Sequence, residues 1–315
     1  MKNILLATTI LASVATVASA ETGVSISGYG RFGLAYDGSA DDANANASTT
    51  TIHTRLRFNI DATTETDSGV TFGGRVRMQH TSGSTGADLS AAMLFATYEG
   101  LRVEVGNVNT AYDSVALMYD PEMGFMDSSF GDPQGAFYAF NSTSYNGAEA
   151  DRMGVFASYS MGGFTGRISA VDPVQSLSAD GSALTNDETE VSVSVDYTSG
   201  PFTVALAAVQ DGAGVADNDQ YFIGAAYAIN DVANVGLNYF DEGFDVRTIT
   251  LYGNYTMGAT TLRAYVADND NAANAEDTSF GIGADYDLGG ARLSGSIQRG
   301  YADQTVADLG VRFDF

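Results

Sequence analysis

Residues 307–315, Ala-Asp-Leu-Gly-Val-Arg-Phe-Asp-Phe, decide the fold: apolar and polar side chains alternate, and the chain stops on a phenylalanine. Extended back two residues, Thr305, Ala307, Leu309, Val311, Phe313 and Phe315 face one side of a strand. Val306, Asp308, Gly310, Arg312 and Asp314 face the other. A chain that ends inside such a strand has no tail to cover its edge, so the strand must pair with another. The same two-residue period runs back to Val24, so the sheet can close on its own first strand. A closed sheet, apolar outside and polar inside, is how a β-protein crosses a bilayer. The expectation from this stretch is a barrel that forms a pore.

Working outward, alternating segments are bounded by turn chemistry throughout the chain. Ile26, Phe32, Leu34 and Tyr36 oppose Ser25, Ser27, Tyr29 and Arg31; Val191, Val193, Val195 and Tyr197 oppose Ser192, Ser194 and Asp196. Connections alternate between tight ones, such as Glu99-Gly100 and Ser199–Pro201, and long acidic ones, such as 37–50 and 172–187. This spacing predicts an all-β, transmembrane antiparallel barrel of sixteen strands. Two segments, 89–98 and 220–227, are apolar on both faces and leave the register open. Tyrosines near strand ends on the apolar face (Tyr36, Tyr98, Tyr159, Tyr197, Tyr227, Tyr239, Tyr255, Tyr286) fit interfacial girdles. A soluble sandwich would need inner apolar faces on two sheets, whereas here each clear strand keeps one polar face.

The first twenty residues read as a secretory signal: Lys2 supplies a positive charge, 4–18 is apolar, and Ala18-Ser19-Ala20 is a cleavage site. Residues 21–315 then form the barrel. Lys2 is the only lysine, so from Glu21 onward 13 Arg stand against 39 Asp and Glu, a net charge of −26. Such acidity argues against nucleic-acid binding and favours cation attraction. The absence of cysteine removes disulfides, thiol catalysis and thiolate metal sites.

Two constellations carry the functional reading. Arg31, Arg55, Arg57, Arg75 and Arg77 fall on the polar faces of the first three strands, where neighbouring strands set them side by side. No arginine of a clear strand reads onto the lipid side. The longest connection, from Asn107 to about Ala150, mixes aromatic and aliphatic residues with Asp113, Asp120, Glu122, Asp127 and Asp132. A loop of that length within a compact fold is functional or disordered, and this composition is not disordered. Folded into the lumen, it would set carboxylates opposite the arginine wall across an aqueous gap within the Debye length of about 8–10 Å.

The opening VSISGYGRFGLAY (24–36), TETDSGVTFGGRVRM (64–78), LRVEVGN (101–107) and the ending DLGVRFDF (308–315) together resemble the trimeric general porins of Gram-negative outer membranes, alphaproteobacterial type. Asp120-Pro121-Glu122-Met123-Gly124-Phe125 resembles the P-E-F-G type motif of their constriction loop, with Met in place of Phe. The resemblance implies a homotrimer in the cell outer membrane, in contact with lipid and lipopolysaccharide. It also implies a third loop folded inward and passive diffusion of small hydrophilic solutes. It places Asp113, Asp120, Glu122 and Asp127 against Arg31, Arg55, Arg57, Arg75 and Arg77, and assigns Phe315 to barrel closure and recognition by the insertion machinery. The chain departs from the family in having no lysine after the signal and in its Gly/Ala-rich loops.

Other functions fit less well. An enzyme is not expected: His53 and His80 are the only histidines, and neither lies in a nucleophile or zinc motif. A substrate-specific channel for sugars or organic acids is the alternative, but Tyr29, Tyr252 and Tyr265 are too scattered for an aromatic track. No cofactor is expected. Acidic runs such as Asp217-Asn218-Asp219 and Asp268-Asn269-Asp270-Asn271 offer oxygen ligands for Ca2+ at loop tips, without defining a metal site. The acidic loops around the mouth lead to an expectation of weak cation selectivity.

Overall fold

The structure is a computed structural model that describes residues 23–40, 47–145, 152–175 and 186–315. The segment read as a signal peptide, 1–20, lies outside the described residues. The strands are β1 (Gly23–Asp37), β2 (Thr50–Glu65), β3 (Thr71–Thr81), β4 (Asp88–Leu89 and Met93–Tyr98), β5 (Leu101–Gly106), β6 (Met153–Met161), β7 (Phe164–Asp172) and β8 (Glu190–Ser199). There follow β9 (Phe202–Gln210), β10 (Gln220–Asn230), β11 (Ala233–Asp241), β12 (Arg247–Met257), β13 (Thr260–Asn269), β14 (Thr278–Asp287), β15 (Arg292–Arg299) and β16 (Thr305–Asp314). Each pairs antiparallel with its neighbours in sequence. The two pieces of β4 both pair with β3. Met78 faces Leu89 and Arg75 faces Met93, so β4 carries one extra residue, a bulge, and the sheet has sixteen strands.

Closure is between the first and last strands. β1 and β16 pair from Tyr29↔Asp314 to Asp37↔Val306. Gly28 and Phe315 then exchange both backbone hydrogen bonds, at 2.8 and 3.0 Å. The terminal residue is thus a full member of the ladder, and the edge anticipated from 307–315 is paired.

The barrel is inverted relative to a soluble fold. Ile52, Leu94 and Ile282 on the outer face are more than 60% exposed, while Asn238, Thr248, Thr250 and Ser279 on the inner face are fully buried. An apolar outer band this continuous far exceeds what a monomer keeps in water and is the surface a hydrocarbon layer covers. No helix among the described residues is long and apolar enough to cross a membrane.

One tyrosine on each even-numbered strand from β4 to β14, Tyr98, Tyr159, Tyr197, Tyr227, Tyr255 and Tyr286, stands on the outer face next to a short turn. Phe164 stacks on Tyr197 at 4.1 Å and Phe202 tilts against Tyr227 at 4.7 Å, filling the belt between strands. Tyr36, Tyr221 and Phe280 are exposed at the opposite rim, where Tyr239 is half-buried. Such rings suit the boundary, where an apolar body and a polar tip both find partners. Two arginines depart from the expectation of an arginine-free outer face. Arg247 and Arg299 share parity with the outward Ile249 and Ile297. Both occupy strand ends at the long-loop rim, where the cost of a charge falls to about 0–1 kcal/mol, and Arg299 pairs with Asp303.

The two ambiguous segments have a common explanation. Tyr221, Ile223 and Leu94 face outward, and Phe222 and Met93 are buried on the inner face, Phe222 under the long loop, so both faces are apolar for different reasons.

Close approach at the closing seam generates a test. A Cβ added at Gly33 of β1 would lie 2.4 Å from the Leu309 carbonyl oxygen of β16 and 2.5 Å from the Gly310 Cα. Gly33→Ala should therefore strain the β1–β16 ladder by about 1–3 kcal/mol. The temperature at which the folded band shifts to the unfolded position in a gel assay should fall; an unchanged midpoint would show that the seam yields without strain.

Candidate functional site

The long connection between β5 and β6 lies along the inner wall. On its outward leg the Ala111 N–H donates to Ser169 Oγ at 2.9 Å, the Tyr112 N–H to Ser192 Oγ at 3.2 Å, and Asn238 Nδ2 to the Leu117 carbonyl at 2.8 Å. Tyr112, Val115 and Met118 pack on Ala205, Ala207, Val209, Phe222 and Phe240. The loop reverses at a Met123–Ser128 bridge. On the return leg the Phe130 N–H donates to the Tyr265 hydroxyl at 3.1 Å, Thr250 Oγ1 to the Gly131 carbonyl at 2.8 Å, and Gln220 Nε2 to the Ala136 carbonyl at 2.6 Å. The burial of small polar wall residues follows from this: their hydroxyls and amides satisfy the backbone of a loop that has no ladder of its own.

Two buried carboxylates pin the return leg. Glu242 Oε2 accepts the N–H groups of Gln134 and Gly135, while its Oε1 accepts the Thr248 hydroxyl. Glu190 Oε2 accepts the Tyr138 N–H at 2.6 Å and the Ala213 N–H at 2.8 Å. The sequence reading omitted both; Glu242 falls in a five-residue connection that carries no periodic signal.

The arginines have distinct partners. Arg75 makes a two-pronged pair with Asp61 on β2, at 2.7 and 3.1 Å. Arg57 donates to Gln79 Oε1 at 2.7 Å, and Arg55 to Thr81 Oγ1 at 3.1 Å and to the Tyr29 hydroxyl at 3.4 Å. Arg77 bonds Asn59 Oδ1 at 2.9 Å and Ser142 Oγ of the loop at 2.7 Å, with its guanidinium 4.4 Å over the Phe140 ring. Arg31, 5% exposed, donates to the carbonyls of Phe125 and Met126 at the loop tip. Among the described residues Arg31, Arg55, Arg57 and Arg77 form no ion pair. Tyr29 separates two of the cations: its ring lies 5.0 Å from the Arg57 guanidinium and 4.2 Å from that of Arg312. The ring face offsets part of their repulsion.

The loop acids are distributed along the tip and outward leg. Asp113 accepts the Tyr119 hydroxyl at 2.7 Å, and Asp120 accepts that of Tyr252 at 3.3 Å. Asp127 pairs with Arg292 on β15 and Arg312 on β16. Those two arginines belong to the site and were absent from the sequence-based set, although Arg312 lies in the terminal stretch itself. Enclosure by the barrel raises the carboxyl of Asp113, opposed by the Tyr119 hydroxyl and Arg77, and that of Asp120, opposed by the Tyr252 hydroxyl and Arg263. Glu122 is pushed up to about 7 by the same enclosure, opposed by Arg312, Arg292, Arg31 and Arg263. All three are half-buried. Among the described residues no group of three or more acidic or histidine side chains is arranged to hold a metal ion.

The pins generate a test. In Glu242→Ala the Gln134 and Gly135 N–H groups lose their acceptor, a desolvation cost of about 1–3 kcal/mol each. Amide exchange at 134–136 should accelerate while strand amides are unaffected; native exchange rates there would mean the leg is held by other contacts.

A closed barrel with a loop laid against its inner wall has known counterparts. Residues 7–305 match the Gram-negative porin family. The porin of Fuscovulum blasticum is 47% identical over 298 residues, 93% of this chain and all of that one. The porin of Rhodobacter capsulatus is 30% identical over 324 residues, with the same shares covered. A solved triple mutant of Rhodopseudomonas blastica porin matches with a TM-score of 0.87 at 45% identity, over 93% of this chain and all of that one. Alignment of this extent shows that the chain belongs to the Gram-negative porin family, outer-membrane β-barrels that serve transport as channels and not as enzymes.

Proposed function

We propose that this porin passes small hydrophilic solutes and ions by passive diffusion, with a weak preference for cations set by the acidic mouth. The charge layout carries the reading. Half-buried Asp113, Asp120, Glu122 and Asp127 belong to the loop, while Arg31, Arg55, Arg57, Arg75 and Arg77 belong to the wall of β1–β3. In this reading solutes cross between the loop acids and Arg55, Arg57 and Arg75, Arg31 and Arg77 being in contact with the loop itself, in a transverse field only partly screened over a gap comparable to the Debye length of about 8–10 Å. The wall arginines attract anions, but 39 acidic residues against 13 arginines enrich cations at the mouth before the gap is reached.

Further elements of the proposal are a homotrimer in contact with outer-membrane lipid and lipopolysaccharide, and removal of residues 1–20 after Ala20. Divalent cations such as Ca2+ would bridge acidic loop tips to anionic headgroups without a dedicated site. Phe315 would serve both seam closure and recognition by the insertion machinery. Its ring, 5.4 Å from that of Phe58 and 6.3 Å from that of Phe313, supports a packed and exposed terminal aromatic cluster.

Stepwise conductance of the purified protein in a planar bilayer tests the channel; saturation by a sugar or organic acid would favour the substrate-specific alternative. Asp120→Asn combined with Glu122→Gln should reduce the cation-to-anion permeability ratio, read as reversal potential across a KCl gradient. The effect should be largest at low salt, where screening is weakest. Acidification should act in the same direction, because raised carboxyls bind protons at a higher pH than free ones: negative charge is lost as the pH falls through about 7 at Glu122. A reversal potential indifferent to both changes would remove the loop from the permeation path.

Deletion of Phe315 should lower the amount of folded, heat-modifiable protein in outer membranes, since two backbone bonds to Gly28 and the terminal ring are lost together. Equal amounts of assembled protein would assign Phe315 no part in assembly.

A further inference from the structure

The loop tip meets the wall at the seam where the barrel closes. Phe125, fully buried, lies against Gly310 of β16: a Cβ there would come within 2.7 Å of the Phe125 ring. His53 of β2 flanks the ring edge-on, with centroids 5.8 Å apart. Gly310 and His53 are the register partners of Gly33 on either side of β1, so the ring sits over β16, β1 and β2 at one level. The backbone around the ring is bonded to the same strands. The Phe125 N–H donates to Asp308 Oδ1 at 3.0 Å, the other oxygen of which accepts the Ser296 hydroxyl at 2.9 Å. Arg31 of β1 donates to the Phe125 and Met126 carbonyls. Gly124 takes a φ of +73° beside the Asp308 carboxylate, where a Cβ would lie 2.2 Å from its nearer oxygen.

The geometry points to Phe125 as a positioning residue that couples the constriction to barrel closure: its ring and flanking peptides staple the first strand to the last, and the closed seam in turn fixes the loop tip. Asp308 and Gly310 are successive inward residues of β16 and Arg31 belongs to β1, so the socket exists only when those two strands are paired; the next inward residue, Arg312, holds Asp127 of the same tip. Wall contacts hold the outward leg at 111–118 and the return leg at 130–138; without the latch the tip between them, which carries Glu122 and Asp127, would sample other positions in the lumen. With the tip latched, Glu122 and Asp127 keep fixed positions in the lumen. Asp308→Ala and Phe125→Ala open the latch from opposite sides, wall and loop.

This inference rests on the channel reading, and the experiment separates the two. Wild type, Phe125→Ala, Asp308→Ala and the volume-conserving Phe125→Leu are compared for single-channel current in planar bilayers and for the heat-modifiability midpoint. In both alanine variants the single conductance level should be lost to a noisier, larger current and the midpoint should fall, while Phe125→Leu should restore both towards wild type. An alanine variant that fails to insert leaves the other, with Phe125→Leu, to decide. Wild-type current and noise in folded alanine variants would overturn the positioning role. An altered current with an unchanged midpoint would overturn the coupling to the seam. Absence of any stepwise current from the wild type would instead overturn the channel reading.

Discussion

The hydrocarbon layer offers a strand no hydrogen-bond partner, so every backbone N–H and C=O that crosses it must be bonded within the protein. For a sheet this leaves closure as the only solution, and closure here means the pairing of β1 with β16. Its consequences reach the whole sequence. The last strand runs to the terminal residue because Phe315 is still bonded to Gly28. The strands alternate because one face meets lipid and the other water. An even number of antiparallel strands brings both termini to one end, and the tight turns gather at that same end.

Inversion of the usual burial pattern creates a second problem, since the lumen of a sixteen-stranded barrel is too wide for side chains to fill. The connection between β5 and β6 occupies part of it. A loop in that position needs acceptors and donors for an irregular backbone, and the wall supplies them as serines, threonines, amides and two glutamates. Apolar contact does the rest: Phe222 and Phe240 face inward because Tyr112 and Met118 cover them. The inner wall is therefore mixed, apolar and hydrogen-bonding under the loop and strongly basic across β1–β3.

That division explains what the sequence made legible. Period-2 strands, tight turns, the tyrosine belt and the length of the inward loop could all be read directly, because each reflects a constraint acting within one short segment. The inward arginines were readable for the same reason. The partners were not. Asp127 meets Arg292 and Arg312, 165 and 185 residues away in sequence, and Arg31 meets the peptides of Phe125 and Met126. Nothing local in the chain encodes which strand a loop tip reaches. Gly310 illustrates the limit: on sequence it interrupts the polar face of the last strand, and in the structure its missing side chain is what admits Phe125.

The basic wall shows how a cluster of like charges can persist on so acidic a chain. At about 4–5 Å two guanidinium groups in water repel by only about 1 kcal/mol, and by several times more where the dielectric is lower. The structure distributes that cost instead of cancelling it. Arg75 is neutralised by Asp61, Arg57 and Arg312 are kept apart by the Tyr29 ring, and Arg31 is turned towards peptide carbonyls. Arg55, Arg57 and Arg77 bond uncharged side chains, which orient a guanidinium without removing its charge. A wall built with a carboxylate on every arginine would present no net field to a passing ion. By pairing some cations and merely orienting others, the barrel keeps a positive surface on β1–β3 whose guanidinium groups are held in place by uncharged partners. Field strength across the lumen then depends on where the loop lies, so the contacts that hold the loop are as much a part of the electrostatics as the charges themselves.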